Sequence, residues 1–85
     1  MALFLVSYDL LNKATFGDYE NLIDALRRLG AQRVLLSEWV LRNTATSVQI
    51  RDYLTPHMHA ADRILVCELT TNWASRGVLV DINTI

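Results

Sequence analysis

The hydrophobic and polar positions of this chain form separate blocks, each typical of a strand or a helix. The first block, residues 2–9, is an almost uninterrupted apolar run that ends in the carboxylate of Asp9. A strand with so few polar positions is expected to be covered on both faces. We therefore predict a strand in the middle of a sheet, with Asp9 held rigidly at its end.

The second block has helical periodicity from about Asp18 to Leu29. Asp18 is the expected N-cap, and Gly30 follows where a left-handed residue ends a helix. The apolar positions form one stripe at helical spacing, which predicts a helix that faces the core. The stripe consists of Tyr19, Leu22, Ile23, Leu26 and Leu29.

Residues 33–42 are rich in Val, Leu and Trp. They predict either one long strand or two strands joined by a tight turn near Ser37 and Glu38. The choice between these two interpretations stays open at the level of sequence.

A second helix is predicted after Thr46, because Gln49 follows at the spacing of a capping box. Its apolar face is expected to carry Ile50, Tyr53 and Leu54. Pro56 ends or kinks this helix, since a proline inside a helix loses a hydrogen bond and clashes with the preceding turn.

Residues 64–69 predict a strong last strand, and the tail of residues 70–85 adds the strand-like run 78–80. This order predicts a ferredoxin-like βαββαβ fold of the α+β class, an antiparallel sheet with two helices on one face, plus a C-terminal strand. The other sheet face has no further helix to cover it. We therefore expect one domain of residues 1–85, whose tail packs on a second copy of the chain.

Composition supports self-association, because 52% of only 85 residues are hydrophobic. The net charge of −1 gives no general attraction to nucleic acid. No run approaches the roughly 20 apolar residues that span a membrane. The single cysteine, Cys67, lies in an apolar run and predicts a buried, inert thiol, and no secretory leader is recognised, so we expect a cytoplasmic protein.

Asp9 has two interpretations. An aspartate after a strand often starts a turn by accepting a hydrogen bond from a nearby backbone amide. Alternatively, with the polar loop 12–15 that follows, it binds a metal or a phosphate. One carboxylate is a poor Mg²⁺ site, but a symmetric dimer would supply a second one, with water and substrate phosphate completing the shell.

Other candidate groups are weaker. His57 and His59 would point to opposite sides of an extended segment, so a turn is favoured over a metal site. Trp39 is expected in the core, and Trp73 in dimer packing rather than base stacking. The arginines around residues 27–33 are expected to complement a helix C-terminus, with phosphate binding as the alternative.

Three short segments resemble the small CRISPR-associated Cas-two family and related ferredoxin-like ribonuclease folds. They are Val6-Ser7-Tyr8-Asp9 at the end of the first strand, Arg33-Val34 leading to Ser37 before Trp39, and residues 62–66 at the start of the last strand. The likeness covers most of residues 1–69. A departure from the family pattern is the slightly acidic charge, where a protein that grips duplex DNA is expected to be basic.

The resemblance implies a homodimer with stacked sheets and C-terminal strands that cross to the partner. It also implies that Asp9 is the metal-binding and catalytic residue of a Mg²⁺-dependent endonuclease acting on RNA or DNA in CRISPR adaptation or defence. In that case Ser7, Tyr8 and Ser37 would line the site, and Arg33 or Arg42 would hold phosphate.

Two further functions stay open. Family members also serve as non-catalytic subunits beside a larger CRISPR adaptation protein, so the same dimer could be a scaffold. Small-ligand sensors also occur on ferredoxin-like folds, and fold alone does not decide between these functions.

Overall fold

A computed structural model describes residues 1–11 and 19–85 of the chain. Its elements follow the order βαββαβ, and the antiparallel sheet has the strand order β2-β3-β1-β4. The fold is therefore the predicted ferredoxin-like α+β arrangement. The elements are β1 (Ala2–Asp9), α1 (Glu20–Arg28), β2 (Gln32–Leu35), β3 (Glu38–Asn43), α2 (Ser47–Leu54) and β4 (Arg63–Leu69).

Strand β1 lies in the middle of the sheet, between β3 and β4, as its apolar sequence predicts. Val6 pairs with Trp39 on β3 and with Val66 on β4. Successive side chains of β1 point to opposite faces. Phe4 is buried towards the helices and Leu3 towards the other side of the sheet. We call these two sides the helix face and the tail face.

The helix face holds the larger part of the core. Leu22 and Leu26 of α1, with Ile50 and Leu54 of α2, are fully buried against this side of the sheet. The apolar stripe predicted for the first helix therefore packs as expected.

Helix α1 begins at Glu20, with Tyr19 as the residue before it. The predicted N-cap, Asp18, lies outside the described residues. The helix ends as predicted, because Gly30 follows with φ of +78°, a left-handed conformation that favours glycine.

Residues 33–42 form two strands rather than one. The chain turns at Leu36 and Ser37 between β2 and β3, and the register shifts between Arg33 and Leu35. The shift is a bulge, which increases the local twist of this edge hairpin.

The capping box of α2 is present. The Thr46 hydroxyl accepts from the amide of Gln49 at 3.1 Å, and the Gln49 side chain accepts from the amide of Thr46 at 2.9 Å. The chain passes at Pro56 into a short 3₁₀ helix, Thr55–His57. The prediction was wrong for Tyr53, which is 36% exposed, because it lies off the buried line formed by Ile50 and Leu54.

The tail packs on the tail face of its own sheet. Ile82 is buried there with Leu3, Val34 and Val40, and Trp73, Val78 and Ile85 pack against this cluster. The amide of Leu79 donates to the carbonyl of Val34 at 2.8 Å, and a 3₁₀ helix spans Ile82–Thr84. The tail thus covers much of the face that has no helix, while its crossing to a second copy stays a prediction.

Within residues 1–11 and 19–85, no helix is long and apolar enough to cross a membrane. Trp39 is 3% exposed, as expected of a core residue. Cys67 is a free thiol, but it is half-buried rather than fully buried. The reason is its position on the tail face of β4, at one edge of the sheet.

Candidate functional site

Asp9 ends β1 on the tail face, directly opposite Arg63 of β4. The Asp9 carboxylate oxygen lies 4.0 Å from a guanidinium nitrogen of Arg63, and the two side chains are 70% and 73% exposed. An ion pair this exposed stabilises the fold by less than about 1 kcal/mol. The carboxylate is therefore held in position by its strand and stays accessible to a ligand.

A shallow pocket of about 170 Å³ adjoins this carboxylate and is lined in part by Ser7 and Leu65. Ser7 points to the tail face between Glu38 of β3 and Leu65 of β4, which are its cross-strand partners. Leu65 is 61% exposed. The Asp9 end of the tail face is thus open, with one carboxylate, one hydroxyl and an exposed apolar side chain.

The predicted site residue Tyr8 directs its ring to the opposite, helix face. Its hydroxyl accepts a hydrogen bond of 2.9 Å from the indole Nε1 of Trp39, and its amide donates to the carbonyl of Ser37 at 3.2 Å. The structure therefore brings Ser37 to the end of β1 through the backbone. The Tyr8 hydroxyl, in contrast, is bonded to Trp39 on the helix face and does not point to the side of the sheet that carries Asp9.

Arg33 also belongs to the helix face. Its guanidinium lies 4.8 Å from the ring centroid of Trp39, a cation–π contact. Because Trp39 and Asp9 lie on opposite faces, Arg33 does not share a pocket with Asp9 within one chain. The expectation that it holds phosphate beside Asp9 is not supported by this placement.

Arg42 lies on the tail face but at the far end of the sheet. It pairs with Leu3, six residues before Asp9, which separates the two along β1 by about 20 Å. Its guanidinium donates to the main-chain oxygen of Ile85. Within one chain, Arg42 holds the tail and does not contact the Asp9 pocket.

Asp62 is a polar centre that sequence reasoning did not identify. One carboxylate oxygen accepts from the amide of Leu11 at 2.8 Å and from the Tyr19 hydroxyl at 3.0 Å, and the other accepts from the amide of His59 at 2.9 Å. Burial raises the pKa of Asp62, but these bonds together with the charge of His59 outweigh it, so the pKa is lower than usual. The ionised carboxylate thus joins the segment after β1, the start of α1 and the turn before β4.

The sequence contained a signal for both Arg63 and Asp62. They precede the apolar part of β4, and an antiparallel partner of β1 brings its first residues beside the last residues of β1. Asp62 also has the residue type that accepts backbone hydrogen bonds in turns. Antiparallel pairing of β1 with β4 is enough to place Arg63 opposite Asp9, and Asp62 beside the segment that follows β1.

Metal-binding side chains do not gather in the part of the chain that the structure describes. There, no group of three or more His, Cys, Asp or Glu side chains could hold a metal ion. The ring of His57 faces Tyr53 and that of His59 faces Tyr19, with centroid distances of 6.2 and 5.4 Å. Among the described residues, the pocket beside Asp9 therefore offers Mg²⁺ one carboxylate, that of Asp9. The polar loop 12–15 lies outside the described residues.

No family model matches the chain.

Proposed function

We propose that this chain acts as a homodimer of the Cas-two kind, in which Asp9 of both copies forms a Mg²⁺ site that cleaves RNA or DNA. The single observation that carries the proposal is the accessible Asp9 carboxylate at the end of the central strand. A rigid, exposed carboxylate is the ligand that Mg²⁺ takes from proteins, one or two at a time.

The open end of the tail face supports the dimeric part of the proposal. Leu65 is exposed beside Ser7, on the same face as Asp9, and the tail does not cover it. Burying this surface against a second copy about a two-fold axis would remove apolar area from water. The same contact would bring the two Asp9 carboxylates towards each other, and the tail need not leave its own sheet.

In this dimer the protein's own residues have simple roles. The two Asp9 carboxylates would hold Mg²⁺, which would supply Lewis-acid activation of a phosphodiester and of a bound water. Arg63, opposite Asp9, is free to turn towards a phosphate, because its present ion pair is weak. Ser7 offers a hydroxyl beside the site.

The test is cleavage of labelled single- and double-stranded RNA and DNA with Mg²⁺ or Mn²⁺, using wild type and Asp9→Asn. We expect Asp9→Asn to lose at least about 100-fold in rate, since the metal loses two charged ligands per dimer. Asp52→Asn is the matched control, because Asp52 is an exposed carboxylate on α2 that pairs with Arg51. Cleavage equal in wild type and Asp9→Asn would exclude the catalytic proposal.

A second candidate is a scaffold on the same dimer, beside nucleic acid or a larger CRISPR adaptation protein. The observation that favours it is the Arg63 guanidinium facing Asp9, which partly balances the carboxylate without a metal. The scaffold is expected to bind nucleic acid or that protein equally well with Asp9→Ala and in the presence of a chelator. Loss of binding in both conditions would exclude it.

A further inference from the structure

A cavity of about 360 Å³ lies between the tail and the tail face of the sheet. It is separate from the pocket beside Asp9, because the two share no lining residue. Its volume falls within the range of about 300–1,000 Å³ that is typical of small-molecule sites. The tail closes it from one side, so this cavity exists within a single chain.

The inner wall of the cavity is apolar. Val34, Val40 and Ile82 are buried there, and Leu5 and Trp73 are partly buried beside them. Aliphatic side chains with one aromatic ring suit an apolar group of moderate size. The wall selects for an apolar ligand group but does not fix its orientation.

Two opposite charges supply the orientation. Glu38, half-buried at the start of β3, and Arg76, exposed in the tail, both line the cavity. In the described part of the chain neither side chain has a hydrogen-bond or ion-pair partner, and they do not pair with each other. A half-buried carboxylate with no cation beside it is incompletely paired, and a positive ligand group would satisfy it.

We infer that this cavity binds a free amino acid with a large apolar side chain. Glu38 pairs with the ammonium group of the ligand, and Arg76 pairs with its carboxylate. The apolar side chain of the ligand packs against Val34, Val40 and Trp73. A zwitterion is the ligand class that meets both charges at once, whereas an amine or an acid alone meets one and is repelled by the other. This site does not depend on the function proposed for Asp9.

The test is titration of the ¹⁵N-labelled chain with L-phenylalanine, followed through the two indole N–H signals. We expect a saturable shift of the Trp73 signal, assigned with Trp73→Phe. The Trp39 signal is an internal control, because that indole is bonded to Tyr8 on the helix face. Phenethylamine, 3-phenylpropionate and glycine each lack one recognised group, and we expect each to bind at least about tenfold more weakly.

Two variants test the charges separately. Glu38→Gln should weaken phenylalanine binding about tenfold, and Arg76→Gln about threefold, because the more exposed pair is weaker. The matched controls are Glu68→Gln and Arg28→Gln, which remove the same charges outside the cavity and should bind normally. The inference would be overturned if phenylalanine did not move the Trp73 signal, or if any of the three analogues bound as tightly as phenylalanine. Normal phenylalanine binding by Glu38→Gln or Arg76→Gln would overturn it as well. Asp9→Asn should bind phenylalanine as wild type does, so the two proposals fail independently.

Discussion

The indole Nε1 of Trp39 donates a 2.9 Å hydrogen bond to the Tyr8 hydroxyl, and both side chains are buried. The bond ties β3 to β1 at the residue immediately before Asp9. It also satisfies two polar groups that would be costly to bury alone. The end of the central strand is therefore fixed from the helix face, while Asp9 points to the tail face.

Removing either partner of this bond should destabilise the fold. Tyr8→Phe leaves the indole N–H buried without an acceptor, and we expect a loss of about 1–2 kcal/mol in the free energy of unfolding. Trp39→Phe leaves the Tyr8 hydroxyl without its donor and also creates space, so its loss should be about 2–3 kcal/mol. Urea unfolding followed by circular dichroism measures both values.

The double variant with both Tyr8→Phe and Trp39→Phe separates the energy of the hydrogen bond from the energy lost through packing. If the bond couples the two residues, the losses combine with an interaction energy of about 1 kcal/mol. Losses that add within about 0.3 kcal/mol would contradict this assignment.

The Asp62 carboxylate should make stability depend on pH in acid. Burial raises the pKa of Asp62 in the folded chain, but the bonds from His59, Leu11 and Tyr19, together with the charge of His59, outweigh it and lower the pKa. A lowered pKa means that this stabilisation is complete above the unfolded value, about 3.9, and is lost as the pH falls through the folded value. Wild type should therefore lose this contribution below about pH 4.

Asp62→Asn isolates that contribution. At pH 7 we expect the variant to be about 2 kcal/mol less stable than wild type, because three bonds lose their charged acceptor. The difference in urea midpoint between the two proteins should shrink as the pH is lowered from 5 towards 2. Asp52→Asn, at an exposed ion pair, should show almost no difference at any pH. A difference for Asp62→Asn that is constant with pH would refute the role of its charge.

Thr46 should contribute to stability as the N-cap of α2. Thr46→Ala removes the hydroxyl that accepts from the Gln49 amide, and we expect a loss of about 1 kcal/mol in the free energy of unfolding. Thr44→Ala is the matched control, because Thr44 is exposed in the preceding bend. Equal urea midpoints for Thr46→Ala and wild type would show that the capping box adds nothing.

The parts of the fold that sequence predicted correctly have local causes. The buried run of β1, the stripe of α1, Gly30 at the helix end and the capping box of Thr46 each follow from spacing within a few residues. The prediction that Tyr53 lies on the buried face of α2 was wrong, because the spacing of apolar residues in this helix allows several faces to be buried. Only packing against the sheet decides which face it is.

The site depends on relationships that local spacing does not contain. Arg33 and Arg42 were both expected as phosphate-holding residues of the Asp9 site. Strand alternation instead places Arg33 on the opposite face of the sheet, and the strand register places Arg42 at the opposite end of β1. Asp62 becomes important only when the turn before β4 meets the segment after β1. The course of the tail likewise depends on which sheet face has no helix.

Ile82 allows the packing of the tail to be measured. It is 7% exposed in the cluster on the tail face, so Ile82→Ala should lower the free energy of unfolding by about 2–4 kcal/mol. Leu79→Ala is the control, because that side chain is 60% exposed and its backbone bond to Val34 is retained. If the tail packs on its own sheet, the difference between Ile82→Ala and wild type should be equal at protein concentrations about 100-fold apart. A difference that grows with concentration would instead show that the tail stabilises a second copy, as the resemblance to the Cas-two family implies.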